Sequence, residues 1–145
     1  MREPSELPAQ LRDTCRELVD LLAVPGCVLS RVIGELLIGV AEWAPGDQHL
    51  DLGHGYLLSD YPLTREVIDV LEPRIVAVDA PGSDPSEVRL LRELGFEALL
   101  MLPLVADGEC WGLVELYGAD GRRFDEADIR RVEPVLGRAA ALLTR

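Results

Sequence analysis

Apolar and polar positions alternate along this chain in blocks that change period. From about Ser5 to Ala23, Leu7, Leu11, Leu18 and Leu22 recur at helical spacing, with Cys15 filling the gap in the stripe. Pro25-Gly26 ends that helix. Cys27 to Ile33 is a β-branched run, Gly34-Glu35 is a turn signal, and Leu36 to Ala44 is apolar again, which predicts a β-hairpin. Pairing across the turn sets Arg31 opposite Ile38. That register puts Arg31 on a face with Leu36, Val40 and Glu42, and Ser30 and Trp43 on the other face. A polar loop covers Pro45 to His54. Tyr56 to Asp60 reads as a short strand or an extended approach to a helix beginning at Pro62 and stopping near Leu71. Ile75 to Asp79 is a short strand. Asp84-Pro85-Ser86-Glu87 then has the form of an N-cap, a first-turn proline and an acid at the third position, opening a helix that ends at Gly95.

The last third is the most strongly patterned. Ala98 to Tyr117 holds two apolar strands joined by Asp107-Gly108, a pair suited to the positive φ values of a type I′ turn. Both strands are apolar on nearly both faces, so helices or loops should cover both sides of the sheet. Pro103 cannot donate to the ladder and marks a bulge or an unpaired edge. Asp125 is a suitable N-cap for a final helix. Pro134 and Gly137 lie inside it and should bend or weaken it. The element order predicts an α+β fold with a largely antiparallel central sheet.

A length of 145 residues suits one domain, residues 1–145, divided into an N-terminal helix (1–24), sheet and pocket helices (25–124) and a C-terminal helix (125–145). The net charge of −12 argues against nucleic acid and against anionic membrane surfaces as partners, since both need basic protein surfaces. No run approaches the roughly 18 apolar residues that span a bilayer, and the N-terminus lacks the apolar core of a signal peptide; a cytoplasmic location is the expectation. Cys15, Cys27 and Cys110 are scattered, without a Cys-x-x-Cys pair, and read as free thiols.

In the last third, Leu102-Pro103-Leu104, Asp107-Gly108, Gly112-Leu113-Val114 and Phe124-Asp125-Glu126-Ala127-Asp128 follow one another in the order and spacing of the GAF domain family, which the chain resembles along essentially its whole length. The resemblance implies a central antiparallel β-sheet with the N- and C-terminal helices on one face, and short helices and loops forming a pocket on the other. It implies a non-catalytic sensory role in front of a histidine kinase, a diguanylate cyclase or phosphodiesterase, or a transcription regulator. It also implies a homodimer through the terminal helices. A dimerisation module without a small-molecule ligand and an enzyme like the methionine sulfoxide reductases of this fold stand as alternatives.

The family's specific chemistries each demand residues. Cyclic-nucleotide members carry an Asn-Lys…Phe…Asp-Glu signature; here Phe124, Asp125 and Glu126 are present but the chain has no Asn, and the acidic pair reads as helix capping. Bilin-binding members need a suitably placed Cys, commonly followed by His, whereas Cys15, Cys27 and Cys110 precede Arg, Val and Trp. A haem needs an axial His, and His49 and His54 fall in the polar loop, where they read as solvated. The expectation is therefore no cofactor and no metal, with an unidentified small molecule as the ligand. Candidate pocket residues are Tyr56, Ser59, Tyr61 and Thr64, with Trp43 and Asp79 behind them; the same residues could serve only to close the core and cap a helix. Glu115 interrupts an apolar strand on a face shared with Trp111, Leu113 and Tyr117. It reads as a structural ion pair, for example with Arg31, as an exposed strand end, or as the lining of a polar pocket.

Overall fold

The computed structural model describes residues 6–46 and 55–144. Helix α1 (Glu6–Leu22) is followed by strands β1 (Gly26–Ile33), β2 (Leu36–Trp43) and β3 (Gly55–Leu57). One 3-10 turn (Leu58–Asp60) leads into α2 (Pro62–Val70), then β4 (Arg74–Ala77), α3 (Pro85–Leu94), β5 (Ala98–Ala106), β6 (Glu109–Gly118) and α4 (Glu126–Leu143). The six strands form one antiparallel sheet in the order β3-β2-β1-β6-β5-β4. This is the α+β architecture that the element order predicts.

Local chemistry accounts for the boundaries. Asp107 and Gly108 both have positive φ, 53° and 78°, as a type I′ turn requires. Asp84 caps α3 by accepting from the backbone N–H groups of Ser86 and Glu87 at 2.8 and 3.3 Å. Asp125 and Asp128 form a reciprocal capping box on α4, and Arg122 grips both oxygens of Asp128 at 3.1 and 3.0 Å. Helix α4 continues through Pro134 and Gly137 to Leu143. Pro103 sits beyond the last residue of β5 paired with β4, Met101, so the missing N–H leaves no gap in that ladder.

Two cores lie on the two faces of the sheet. On one, α1 and α4 pack against Cys27, Leu29, Leu100, Leu102, Val114 and Leu116. On the other, α2, α3 and the 58–60 turn pack against Val28, Leu99, Met101, Leu113 and Tyr117. The register slips by one residue in two places. Leu29 pairs with Ala41 but Ser30 with Gly39, so Val40 is the extra residue of β2; Leu104 pairs with Gly112 but Val105 with Cys110, so Trp111 is the extra residue of β6.

These bulges correct the sequence register. Beyond Val40 the faces of β2 exchange. Glu42 pairs with Val28 on the face of α2 and α3, while Trp43 pairs with Cys27 on the face of α1 and α4. Arg31 therefore does not share a face with Glu42, nor Ser30 with Trp43. Trp111 likewise leaves the face of Leu113, Glu115 and Tyr117. It packs at the edge of the terminal-helix core, under the guanidinium of Arg31 at 4.7 Å.

Strands β1 and β6 approach closely at Gly112, where a Cβ would lie 2.2 Å from the Ser30 carbonyl oxygen. Neither backbone can yield without breaking the ladder. Gly112→Ala should lower unfolding stability by about 2 kcal/mol or more, read from the urea midpoint at unchanged slope. A variant within experimental error of the parent would refute the close-packing argument.

Candidate functional site

A hollow lies between the sheet and the 56–64 segment. The space in it open to a water-sized occupant is about 20 Å³, room for about one water, and all the empty space it contains, open solvent included, is about 400 Å³. Four elements supply its polar groups. Strand β1 brings Ser30, and β6 brings Glu115 and Tyr117 two residues apart on one face. The 56–64 segment contributes Tyr56, Tyr61 and Thr64, and α3 contributes Glu87. Val28, Leu37, Leu58 and Leu90 supply apolar wall.

The two acids are the unusual feature. Glu87 is 1% exposed and Glu115 is 9% exposed. Thr64 donates its hydroxyl hydrogen to Glu87 Oε1. Glu115 Oε2 accepts from the Tyr117 hydroxyl at 3.5 Å, a long contact for an O–H···O bond. Burial pushes both carboxyls above the usual range. Burial and then the charge of Glu87 raise Glu115 to about 8, against a weaker opposing pull from Tyr117; the Thr64 hydrogen bond opposes the rise at Glu87. Tyr117 is raised by its burial and by Glu115, and stacks on Phe96 with ring centroids 4.9 Å apart. Tyr61 is raised by burial and then by Glu87, and meets Tyr56 edge-to-face at 5.7 Å.

Four of the seven candidate residues, Tyr56, Tyr61, Thr64 and Glu115, come together here; three do not. Ser59 is exposed within the 58–60 turn. Trp43 lies on the opposite face, with Arg12 and Arg16 over its ring at 4.5 and 5.4 Å. Asp79 is gripped by Arg123 at 3.1 and 2.8 Å, which holds its carboxyl below the usual range, and it lies away from the cavity wall. Nor does Glu115 pair with Arg31 or stand at an exposed strand end. In the unbroken β1–β6 register Arg31 pairs with Gly112 and Glu115 with Val28, so alternation puts the two on opposite faces, and the carboxyl faces the cavity.

Glu87 is the wall residue that sequence reading missed. Its position in the first turn after Asp84 made it look like a capping acid. The overlooked signal is its spacing: Glu87, Leu90, Leu91 and Leu94 form one i, i+3, i+4, i+7 stripe, so α3 must turn Glu87 inward with the leucines. Tyr117 and Ser30 were likewise read as sheet positions only. Cys15 and Cys27 are buried in the terminal-helix core and Cys110 is half-buried near the β5–β6 turn, so no cysteine lines the cavity. Among the described residues no group of three His, Cys, Asp or Glu side chains is placed to hold a metal ion, and no helix is long and apolar enough to cross a membrane. His49 and His54 lie outside the described residues.

The family model for the GAF domain matches residues 6–143, and the chain belongs to that family. No curated protein sequence matches it. Its fold is similar to that of the phycocyanobilin-bound GAF domain from a cyanobacterial phytochrome. The TM-score is 0.82 and the identity 17%, covering 94% of this chain and 84% of that one. The phycoerythrobilin-bound GAF domain from a cyanobacterial phytochrome gives 0.82 at 20% identity, covering 95% and 85%. The photosensory core module of Stigmatella aurantiaca phytochrome gives 0.77 at 20% identity, covering 94% of this chain but 32% of that one. At these identities the likeness is one of fold. It nevertheless corrects the expectation of a site without a cofactor, because these neighbouring domains of similar fold are bilin-bound. An attachment thiol, an axial histidine or a short motif can each be read from sequence, whereas a cavity is assembled by tertiary structure rather than by any one residue.

The buried acid leaves a thermodynamic signature. Between the ordinary glutamate value of 4.5 and about 8, the folded chain retains a proton at Glu115 that the unfolded chain has released. The stability this contributes is complete below about pH 4.5 and is lost as pH rises to about 8. Glu87, Tyr56, Tyr61 and Tyr117 are the titratable groups that line the cavity with it. Urea unfolding at a series of pH values should show Glu115→Gln gaining on the parent chain steadily across that window. Parallel profiles would rule out a buried, proton-holding carboxyl.

Proposed function

We propose that this GAF domain is a non-catalytic sensory module whose cavity takes a small molecule and whose terminal helices pass occupancy to an attached or partner output domain. A histidine kinase, a cyclic-dinucleotide synthase or phosphodiesterase, and a transcription regulator are the outputs the family suggests. One observation carries the reading: the cavity and the terminal helices share strands. On β6, Glu115 and Tyr117 face the cavity while Val114 and Leu116 face α1 and α4. On β1, Ser30 faces the cavity while Cys27 and Leu29 face the helices. A ligand that binds one arrangement of these strands better than another biases the helix packing by that difference in affinity. Helices α1 and α4 pack side by side, and a homodimer through them is part of the proposal. Free thiols, two of them buried, suit a reducing cytoplasm.

A bilin is the occupant that the neighbouring structures suggest, and its chemistry would be absorption of visible light. The residues present do not fit an attached one. No cysteine stands in the wall to form a thioether, and the space of about 20 Å³ would have to open widely for four rings. That same small volume favours a second reading, an interaction module with an essentially filled core.

Thermal melts separate the two. A ligand present at about 100 times its Kd adds about 2.7 kcal/mol to folding stability and raises Tm. A metabolite, nucleotide and tetrapyrrole screen should return at least one such shift. A screen without one, together with a helix-mediated dimer in light scattering, would establish the interaction module instead.

A further inference from the structure

We infer that the cavity selects a small organic cation, an ammonium group carried on a compact apolar or aromatic body, which inserts between Glu87 and Glu115. This rests on the sensory reading above and names its ligand class. The wall presents two carboxyls and no basic residue among those that line it. All 14 basic residues of the chain are arginines, and the nearby ones are engaged elsewhere. Arg31 lies over Trp111 on the opposite face, and Arg65 pairs with Glu35 and Asp69. Burial and the charge of Glu87 hold back the ionisation of Glu115, and a cation entering from outside supplies the counter-charge that no lining residue offers.

The hydrogen-bond inventory points the same way. A carboxylate offers about four lone-pair sites. Glu115, nine-tenths buried and lining the hollow, accepts one long bond from Tyr117 at its Oε2. Glu87 accepts from the Thr64 hydroxyl. An ammonium head is about as large as the single water the hollow can hold, and supplies three donors. Leu37, Leu58 and the rings of Tyr56 and Tyr61 also line the hollow, where the apolar body would lie against them, and tyrosine rings add cation–π attraction. The net charge of −12 draws cations towards the protein and turns anions away.

The experiment uses three probes of one shape, benzylamine, benzyl alcohol and benzoate, with biliverdin as a fourth arm. Melting and calorimetry on the full chain should show benzylamine raising Tm and binding most tightly, benzyl alcohol less, and benzoate not at all. Binding should release protons, so benzylamine affinity should climb between pH 6 and 8 while the ammonium stays charged, and the calorimetric heat should depend on buffer ionisation. Glu115→Gln, checked for folding by circular dichroism, should weaken benzylamine by roughly tenfold or more and flatten the pH profile. Glu87→Gln should do the same if the variant at position 115 fails to fold. Equal binding of all three probes, preference for benzoate, or an undiminished variant would overturn the cation assignment. Binding by benzoate or biliverdin in place of benzylamine would leave the sensory reading standing; silence from every arm and from the wider screen would remove both.

Discussion

Burial of the central strands on both faces governs this molecule. Strands β1, β6 and β5 have no solvent side over most of their length, so every side chain enters either the terminal-helix core or the cavity-side core. In such a sheet a slip of one residue exchanges the two cores. The bulges at Val40 and Trp111 make that exchange once on each side of the centre. They carry Trp43 and Trp111 to the helix side, while plain alternation along β1 and β6 sets Arg31 on that side and Glu115 on the other. The close contact at Gly112 locks β1 against β6 between these two slips.

The acids of the chain then divide by environment. Asp79 and Asp128 are gripped by Arg123 and Arg122 and held below the usual carboxyl range. Glu87 and Glu115 have no arginine partner among the described residues, are buried, and are pushed above it. The first pair ties loop to helix and loop to loop. The second leaves carboxyls without a cationic partner in a hollow, which is a poor way to stabilise a core and a good way to select an occupant.

The same strands connect that hollow to the helices that would carry a signal. The GAF neighbours at 17 and 20% identity, one bound to phycocyanobilin and one to phycoerythrobilin, share this fold. In this chain the wall is closed by tyrosines and acids, without a thiol.

Most of the scaffold was legible in the sequence because its determinants are local. The Asp107-Gly108 turn, the Asp84 and Asp125 caps, the helical stripes and the stop at Gly95 each depend on a few adjacent residues. Tyr56, Tyr61 and Thr64 were found together because one short segment carries them. Ser59 lies in that segment too, yet a single 3-10 turn faces it outward. Trp43 and Asp79 were misplaced because a bulge and an arginine 44 residues away, Arg123, decide where they point. Glu87 was misread because a capping position and an inward-facing position coincide in one turn of helix. The sequence by itself determined the elements, their order and the family. Only the tertiary structure decided which acids meet in the dark between sheet and helix, because register and burial are properties of strands that are distant in the chain.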